Sequence, residues 1–174
     1  MDFAVFSNGT AIDAVHDLTG PLRLYEATVP AEWIDYNGHM NDSRFFQVTS
    51  EAGDCFLGLI GMDANYLAGG HSYFTVESHT AFAAQAKLGD RLFATIQLLG
   101  HDDKRLHLFV SVHRSNDGSL VATGEHMMLH VDTSIDRAVP AGPAILAKLA
   151  DIAAHHSQLP TPAPVGRFVG APRT

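Results

Sequence analysis

Apolar residues in the second half of the chain recur with the spacing of β-strands. Between residues 105 and 114, Leu106, Leu108, Val110 and Val112 occupy every second position, which predicts a strand with one buried face. Short polar connections separate the later segments, and the SNDG run after residue 114 is a hairpin signal. Strands are predicted on the same grounds at residues 22–29, 71–82, 91–100 and 120–131.

A different spacing marks residues 42–60 as one long helix. The apolar stripe consists of Phe45, Val48, Ala52, Phe56 and Leu59, and it is widened by Thr49, Cys55 and Ile60. Asn41 or Asp42 suits the N-cap, and Gly61 suits the stop. Because this helix is apolar on most of its sides, we expect it to be buried. A second helix is predicted at residues 144–155.

The order of these elements predicts an α+β fold in which a curved antiparallel sheet wraps around one long central helix. We divide the chain into an N-terminal lead-in (1–20), one domain (21–156) and a Pro-rich C-terminal tail (157–174). The tail can be neither a regular helix nor a central strand, since it contains Pro160, Pro162, Pro164 and Pro172. It is expected to pack along the surface or to fray.

Composition narrows the functional classes. The 174 residues are 46% apolar and 17% charged, as in a globular domain, and the net charge of −8 argues against broad nucleic-acid binding. Cys55 is the only cysteine, which suits a reducing cytoplasm. No signal peptide and no membrane-length apolar segment can be recognised. The 11 histidines are scattered, so no metal site is predicted.

One loop carries a family signature. The stretch EWIDYNGHMN resembles the Asp-x-x-Gly-His/Ile signature of the 4-hydroxybenzoyl-CoA thioesterase-like family of hotdog proteins. The later blocks YFTVESHTAF, LGDRL, LLGHDDKRLHLF and ATGEHMMLHVD follow in the order of that family. The resemblance covers roughly residues 22–140 and points to the subgroup of betainyl-CoA thioesterases and of thioesterase domains fused to carnitine dehydrogenases. The GRFVG run in the tail is also similar to that subgroup.

The resemblance implies a homodimer or tetramer that hydrolyses acyl-CoA at sites on the subunit interface. It implies no metal and no cofactor beyond the CoA of the substrate. Asp35 matches the catalytic aspartate of the family. A backbone N–H at the start of the central helix, here within Asn41, Asp42 and Ser43, would polarise the thioester carbonyl. This sequence departs from the subgroup at Asp42, Ser43 and Arg44, which puts its acyl-group preference in question.

The chemistry of these residues leaves several roles open. Asp35 could attack the thioester or deprotonate water, or it could be a turn or capping residue. His39 could bind substrate or only close the turn. Glu51, Asp54 and Glu77 could face the site or lie on the surface. Substrate contacts are predicted for the aromatic residues Trp33, Tyr36, Tyr73 and Phe74, and CoA-phosphate contacts for Lys104, Arg105 and Arg44, with solvated turn charges as the alternative for these cations.

Two other functions compete with hydrolysis. A hotdog hydratase or dehydratase would pair an aspartate with a histidine five residues later, whereas Asp35 and His39 are four apart. A non-catalytic acyl-CoA-binding dimer would not need Asp35. Thioester hydrolysis is therefore the leading hypothesis.

Overall fold

The predicted order of strands and helices is present in the computed structural model, which describes residues 9–11 and 18–170. A short 3-10 turn, Ala31–Trp33, precedes the long helix. The elements are β1 (Gly9–Ala11), β2 (Leu22–Thr28), α1 (Asp42–Ile60), α2 (Ala64–Ala68), β3 (His71–Phe82), β4 (Arg91–His101), β5 (Arg105–Arg114), β6 (Leu120–Asp132), β7 (Arg137–Ala138) and α3 (Pro143–His156).

All strands join one antiparallel sheet in the order β1-β2-β4-β5-β6-β3, with β7 paired to β6. The alternation predicted for β5 is observed, because Leu106, Leu108, Val110 and Val112 are buried in the core that the sheet shares with α1. The predicted α+β architecture, a curved antiparallel sheet around one helix, is confirmed. β3 forms one edge of this sheet.

The central helix has the predicted bounds and caps. Asn41 Oδ1 accepts a hydrogen bond from Ser43 N at 3.0 Å, and Gly61 ends the helix with a positive φ of 107°. Val48, Ala52 and Phe56 are completely buried. The cap thus sets Asp42 as the first helical residue after the loop.

Three short elements were not predicted. β1 lies in the expected lead-in and pairs with β2, while the rest of residues 1–17 lies outside the described residues. α2 and β7 are only five and two residues long. Segments of this length are too short to show a hydrophobic period, so the sequence pattern contained no signal for them.

Residues 157–170 of the C-terminal tail pack on the surface of the sheet. Leu98 N donates a hydrogen bond to His156 Nδ1 at 2.9 Å, at the end of α3. Beyond that point Gln97 Nε2 donates to Pro160 O at 3.3 Å, and Gly166 N donates to Glu125 Oε2 at 2.8 Å. The tail therefore crosses the outer face of the sheet, which is the face that points away from α1.

β6 approaches α1 closely at Gly124, and we predict that a larger side chain at this position destabilises the fold. A Cβ atom on Gly124 would lie 2.8 Å from both Thr49 Cβ and His126 Nε2. Both neighbours are buried, and burial lowers the pKa of His126 to about 4. We expect Gly124→Ala to lower the free energy of unfolding by about 1–3 kcal/mol, measured by urea denaturation. Gly100→Ala in β4, where a Cβ meets nothing within 4 Å, is the matched control; equal stability losses in the two variants would contradict this prediction.

Candidate active site

An open cavity of about 670 Å³ lies where the loop before α1 meets the end of β3. Three segments of the chain form its wall. The loop contributes Asp35, Tyr36, Asn37, Met40 and Asn41; the first turn of α1 contributes Asp42 and Phe45; and the end of β3 with the segment after it contributes Phe82, Ala83, Ala84 and Gln85.

Hydrogen bonds within the chain hold the loop at this cavity. Asp35 N donates to His39 O at 2.9 Å and Gly38 N donates to Asp35 O at 3.0 Å, which closes a tight turn. Gly38 has a φ of 76°, a conformation that favours glycine. The end of the loop is tied down by Asn41 N, which donates to Trp33 O at 2.8 Å. These hydrogen bonds fix the backbone of the turn that carries Asp35.

The two oxygens of the Asp35 carboxylate have different surroundings. Oδ1 accepts a hydrogen bond from Asn37 N at 2.8 Å. Oδ2 accepts none from the described residues, and the half-buried side chain lines the cavity. The predicted turn role and the predicted catalytic role of Asp35 are therefore compatible, because one oxygen orients the carboxylate and the other remains open to a substrate.

The start of α1 leaves one backbone donor open among the three that were predicted. Asn41 N is bonded to Trp33 O. Ser43 N is bonded to Asn41 Oδ1 at 3.0 Å and to Asp42 Oδ1 at 2.7 Å. Asp42 N has no acceptor in the described part of the chain, and Asp42 lines the cavity. A free N–H at the first helical position carries part of the positive charge of the helix dipole.

The cavity wall is aromatic and acidic. The rings of Phe45 and Phe82 meet edge to face with centroids 5.6 Å apart, and Tyr36 is 97% exposed beside them. Two carboxylates, Asp35 and Asp42, line the cavity together with no lysine, arginine or histidine of the described chain. The cavity therefore has a negative charge and apolar ring surfaces.

Sequence reasoning missed part of this wall. Phe45 was assigned only to the apolar stripe of α1, and Phe82 and residues 83–85 were assigned no role. The predicted antiparallel sheet already implied that the end of some strand would lie close to the loop before the helix. Nothing in the sequence showed that this strand is β3.

Two predicted site residues of the loop do not line the cavity. Trp33 is 1% exposed and belongs to the hydrophobic core, which corrects its assignment as a substrate-contacting aromatic residue. Its contribution to the loop is the carbonyl that binds Asn41 N. His39 is half-buried, and its carbonyl closes the turn with Asp35 N, as the simpler alternative for this residue proposed.

Another group of predicted residues lies at the opposite end of β3 in the same chain. Tyr73 is buried against His130, with ring centroids 5.0 Å apart, nine residues from Phe82 and thus about 30 Å along the strand. Phe74 is its exposed neighbour. Lys104 and Arg105 occupy the turn between β4 and β5 near this end, where Arg105 pairs with Asp102 at 3.4 Å. The cavity therefore contains none of these four side chains.

The remaining predicted charges also point elsewhere. Arg44 Nη1 donates to Gln47 Oε1 at 2.9 Å on α1. Glu51 accepts hydrogen bonds from Tyr25 Oη and from Gln47 Nε2, the latter at 2.8 Å. Burial, and then the charge of Glu51, raises the pKa of Asp54 to about 6. Glu77 is exposed on the outer face of the sheet, beside the tail.

The described residues contain neither a metal-ligand cluster nor a membrane-spanning helix. Residues 9–11 and 18–170 contain no group of three or more His, Cys, Asp or Glu side chains placed to hold a metal ion. Within the same ranges, no helix is long and apolar enough to cross a bilayer. Cys55 is buried in the core as a free thiol, and burial raises its pKa to about 12.

Comparison with known proteins identifies the family of this chain. The sequence profile of the thioesterase-like superfamily matches residues 29–149, which include the loop, α1 and all the cavity residues. The chain belongs to the thioesterase-like superfamily. The resemblance read from the EWIDYNGHMN loop is thereby confirmed at the level of the family.

Two curated relatives extend this assignment. An L-carnitine dehydrogenase/betainyl-CoA thioesterase from Rhizobium meliloti is 46% identical over 157 residues, which cover 90% of this chain and 32% of that protein. This chain thus spans about a third of the length of that relative. A betainyl-CoA thioesterase from Pseudomonas aeruginosa is 41% identical over 152 residues, covering 87% of this chain and 96% of that protein.

A solved structure supports the fold of this thioesterase-like chain. A hypothetical protein from Staphylococcus aureus, determined in complex with CoA, superposes with a TM-score of 0.78 at 27% identity and covers 84% of this chain and 93% of its own. The predicted hotdog fold is confirmed by this similarity together with the family assignment.

Proposed function

We propose that this chain hydrolyses acyl-CoA thioesters to a free acid and CoA, with Asp35 and Asp42 N as the reacting groups of the site. One observation carries the proposal: Asp35, whose carboxylate has an open oxygen, and Asp42, whose backbone N–H is open, line the same cavity. Membership of the thioesterase-like superfamily and the identity to curated thioesterases support the reaction type.

The two groups divide the chemistry of the reaction. Asp42 N would donate to the thioester oxygen and stabilise the negative charge that forms on it. Asp35 Oδ2 would either attack the carbonyl carbon, expelling the CoA thiolate and leaving a mixed anhydride for water to hydrolyse, or take a proton from the water that attacks. Both routes require the carboxylate to be ionised, and neither uses a cofactor beyond the CoA of the substrate.

The lining of the cavity favours an acyl group with a positive charge. Asp42 supplies a carboxylate at the helix start, and the exposed rings of Tyr36 and Phe82 supply surface for cation–π contact, with the buried ring of Phe45 packed against Phe82. The two curated relatives described above are named for betainyl-CoA, whose acyl group carries a trimethylammonium. We therefore propose betainyl-CoA or a similar cationic acyl-CoA as the substrate.

An isosteric pair of substrates tests this charge preference. In 3,3-dimethylbutyryl-CoA a neutral carbon replaces the ammonium nitrogen of betainyl-CoA while the shape is kept. We expect kcat/KM, measured by thiol release, to be about ten-fold or more higher for betainyl-CoA, since cation–π contact and one carboxylate contribute about 1.4 kcal/mol or more. Succinyl-CoA, with an anionic acyl group, should react most slowly.

Each result of that experiment has a separate meaning. Equal kcat/KM values for the isosteric pair would refute the cationic acyl group and leave thioester hydrolysis standing. Absence of thiol release from every acyl-CoA tested would refute the hydrolase itself.

We also propose that the chain forms a homodimer through β3. This strand is 12 residues long and occupies the edge of the sheet, and it exposes Val76 and Phe82. A long apolar edge strand is a template for pairing with another chain. Antiparallel pairing of two copies about a two-fold axis would extend the sheet and cover the exposed ring of Phe46 on α1.

Such pairing would complete the site with residues that the single protomer keeps away from it. In an antiparallel pair the start of one β3 lies beside the end of the other. Phe74 and the cations Lys104 and Arg105 would then approach the cavity of the second copy, where the phosphates of CoA need positive charge. Their predicted roles thus depend on the dimer.

We also propose a cytoplasmic location. A reducing compartment suits this chain, because its only cysteine, Cys55, is a free thiol.

A further inference from the structure

The C-terminal tail leads across the sheet toward the edge that β3 leaves open. Pro160 lies over Gln97 of β4, and Gly166 lies over Glu125 of β6, two strands closer to that edge. Arg167 and Phe168 then border a cavity of about 370 Å³ together with Glu77 and His79 of β3. The path runs in one direction, from the interior of the sheet to its edge strand.

Hydrogen bonds hold this end of the tail in place. Glu125 uses both carboxylate oxygens, since Oε2 accepts from Gly166 N at 2.8 Å and Oε1 contacts His107 Nε2 at 2.8 Å. Two turns shape the preceding residues, because Val165 N donates to Pro162 O at 3.0 Å and Arg167 N donates to Pro164 O at 3.2 Å. The prolines restrict the backbone further. Phe168 and Val169 are therefore positioned at the edge by a shaped segment.

The two residues that reach this edge are apolar and exposed. Phe168 is 69% exposed and Val169 is 93% exposed. Phe74 and Val76 of β3 also expose about half of their surface. Apolar side chains concentrated at one edge of a sheet are typical of an interaction surface.

We propose that Phe168 and Val169 dock on the outer face of a second copy of this chain, across the seam where two β3 strands meet. The inference rests on the proposed β3 dimer. A strand added at this edge would lie about 4.8 Å from β3, within reach of side chains that already border it. Under two-fold symmetry each copy would place its tail end on the other, so that two such contacts would close over one seam.

Cross-linking identifies what the tail end touches. A benzophenone maleimide attached to Phe168→Cys would react selectively at that position, because Cys55 is buried and its pKa of about 12 keeps the thiol protonated. The test uses a dimer mixed from ¹⁵N-labelled and unlabelled chains. Irradiation should cross-link the tail peptide of one chain to a β3 peptide of the other chain, and the two peptides should then carry different labels. Leu88→Cys, an exposed apolar position just before β4 and away from the β3 edge, is the control and should give none.

Dissociation measurements test the same contact without a probe. Replacing both Phe168 and Val169 with Ser should raise the dissociation constant of the dimer about ten-fold or more by sedimentation velocity, whereas Leu88→Ser should leave it unchanged. A wild-type chain that is monomeric at micromolar concentration would overturn the dimer and this inference with it. A wild-type dimer whose affinity is unaffected by the double substitution, with cross-links only within one chain, would overturn the tail contact alone.

Discussion

Asp35→Asn is expected to lower kcat for acyl-CoA hydrolysis by about 10²–10⁴-fold, the usual contribution of a general base or nucleophile. The amide keeps the size of the side chain, and its oxygen can still accept the hydrogen bond from Asn37 N that shapes the turn. It can neither attack a thioester nor take a proton from water. The chain should therefore fold normally and fail at the chemical step, which thiol release and urea denaturation measure separately.

A matched carboxylate makes this result specific. Asp103 is exposed in the turn between β4 and β5, outside the cavity. Asp103→Asn changes the net charge by the same amount and should retain wild-type kcat. If Asp35→Asn keeps more than about a tenth of wild-type kcat with its best substrate, Asp35 is not the reacting carboxylate.

Asp42→Pro is expected to lower kcat by about 10²–10³-fold without unfolding the protein, since it removes a single amide hydrogen. Asp42 N has no acceptor in the described chain, so the loss of its hydrogen breaks no hydrogen bond, and Ser43 N, which loses Asp42 Oδ1, keeps Asn41 Oδ1 as its acceptor. Proline is favoured at the first helical position, and Asn41 has the extended backbone (φ −61°, ψ 145°) that suits a residue before proline. The chain already uses this arrangement at Gly142 and Pro143, where α3 begins.

Asp42→Ala is the appropriate comparison, because it removes the same carboxylate and retains the N–H. The ratio of kcat between the alanine and proline variants, measured with neutral 3,3-dimethylbutyryl-CoA, isolates the backbone donor. Similar kcat values in the two variants would show that the oxyanion is stabilised elsewhere. Thermal melting of both variants checks that the helix start is intact.

The sequence predicted the fold in detail where its periodic patterns were long. The bounds of α1, β3 and β5 were predicted to the residue, because 10 to 19 residues of continuous pattern define each one. Gly61 was identified as the stop by its chemistry alone, whereas Asn41 and Asp42 were both candidates for the N-cap and the structure selects Asn41. The loop with Asp35 was located by its resemblance to a family, and its placement at a cavity agrees with that resemblance.

The site was predicted less completely, for a physical reason. Residue type indicates what a side chain can bind but not which end of a strand approaches a given loop. Tyr73 and Phe82 are both aromatic residues of β3, and only the sheet topology places Phe82 at the cavity and Tyr73 against His130. In the same way, only the hydrogen bonds of the first turn show that Asp42 N is open while Ser43 N is occupied.

The tail that crosses the sheet also limits how the proposed dimer could assemble further. Phe109 and Gln97 are buried although they lie outside the core around α1, because the chain after α3 shields this surface. A neighbouring sheet that stacked back to back would need the area that this segment already occupies. A tetramer of this chain would therefore have to associate through its helical side or its ends. Shortening the chain at residue 156 would expose Phe109 and Gln97 and create a surface prone to self-association.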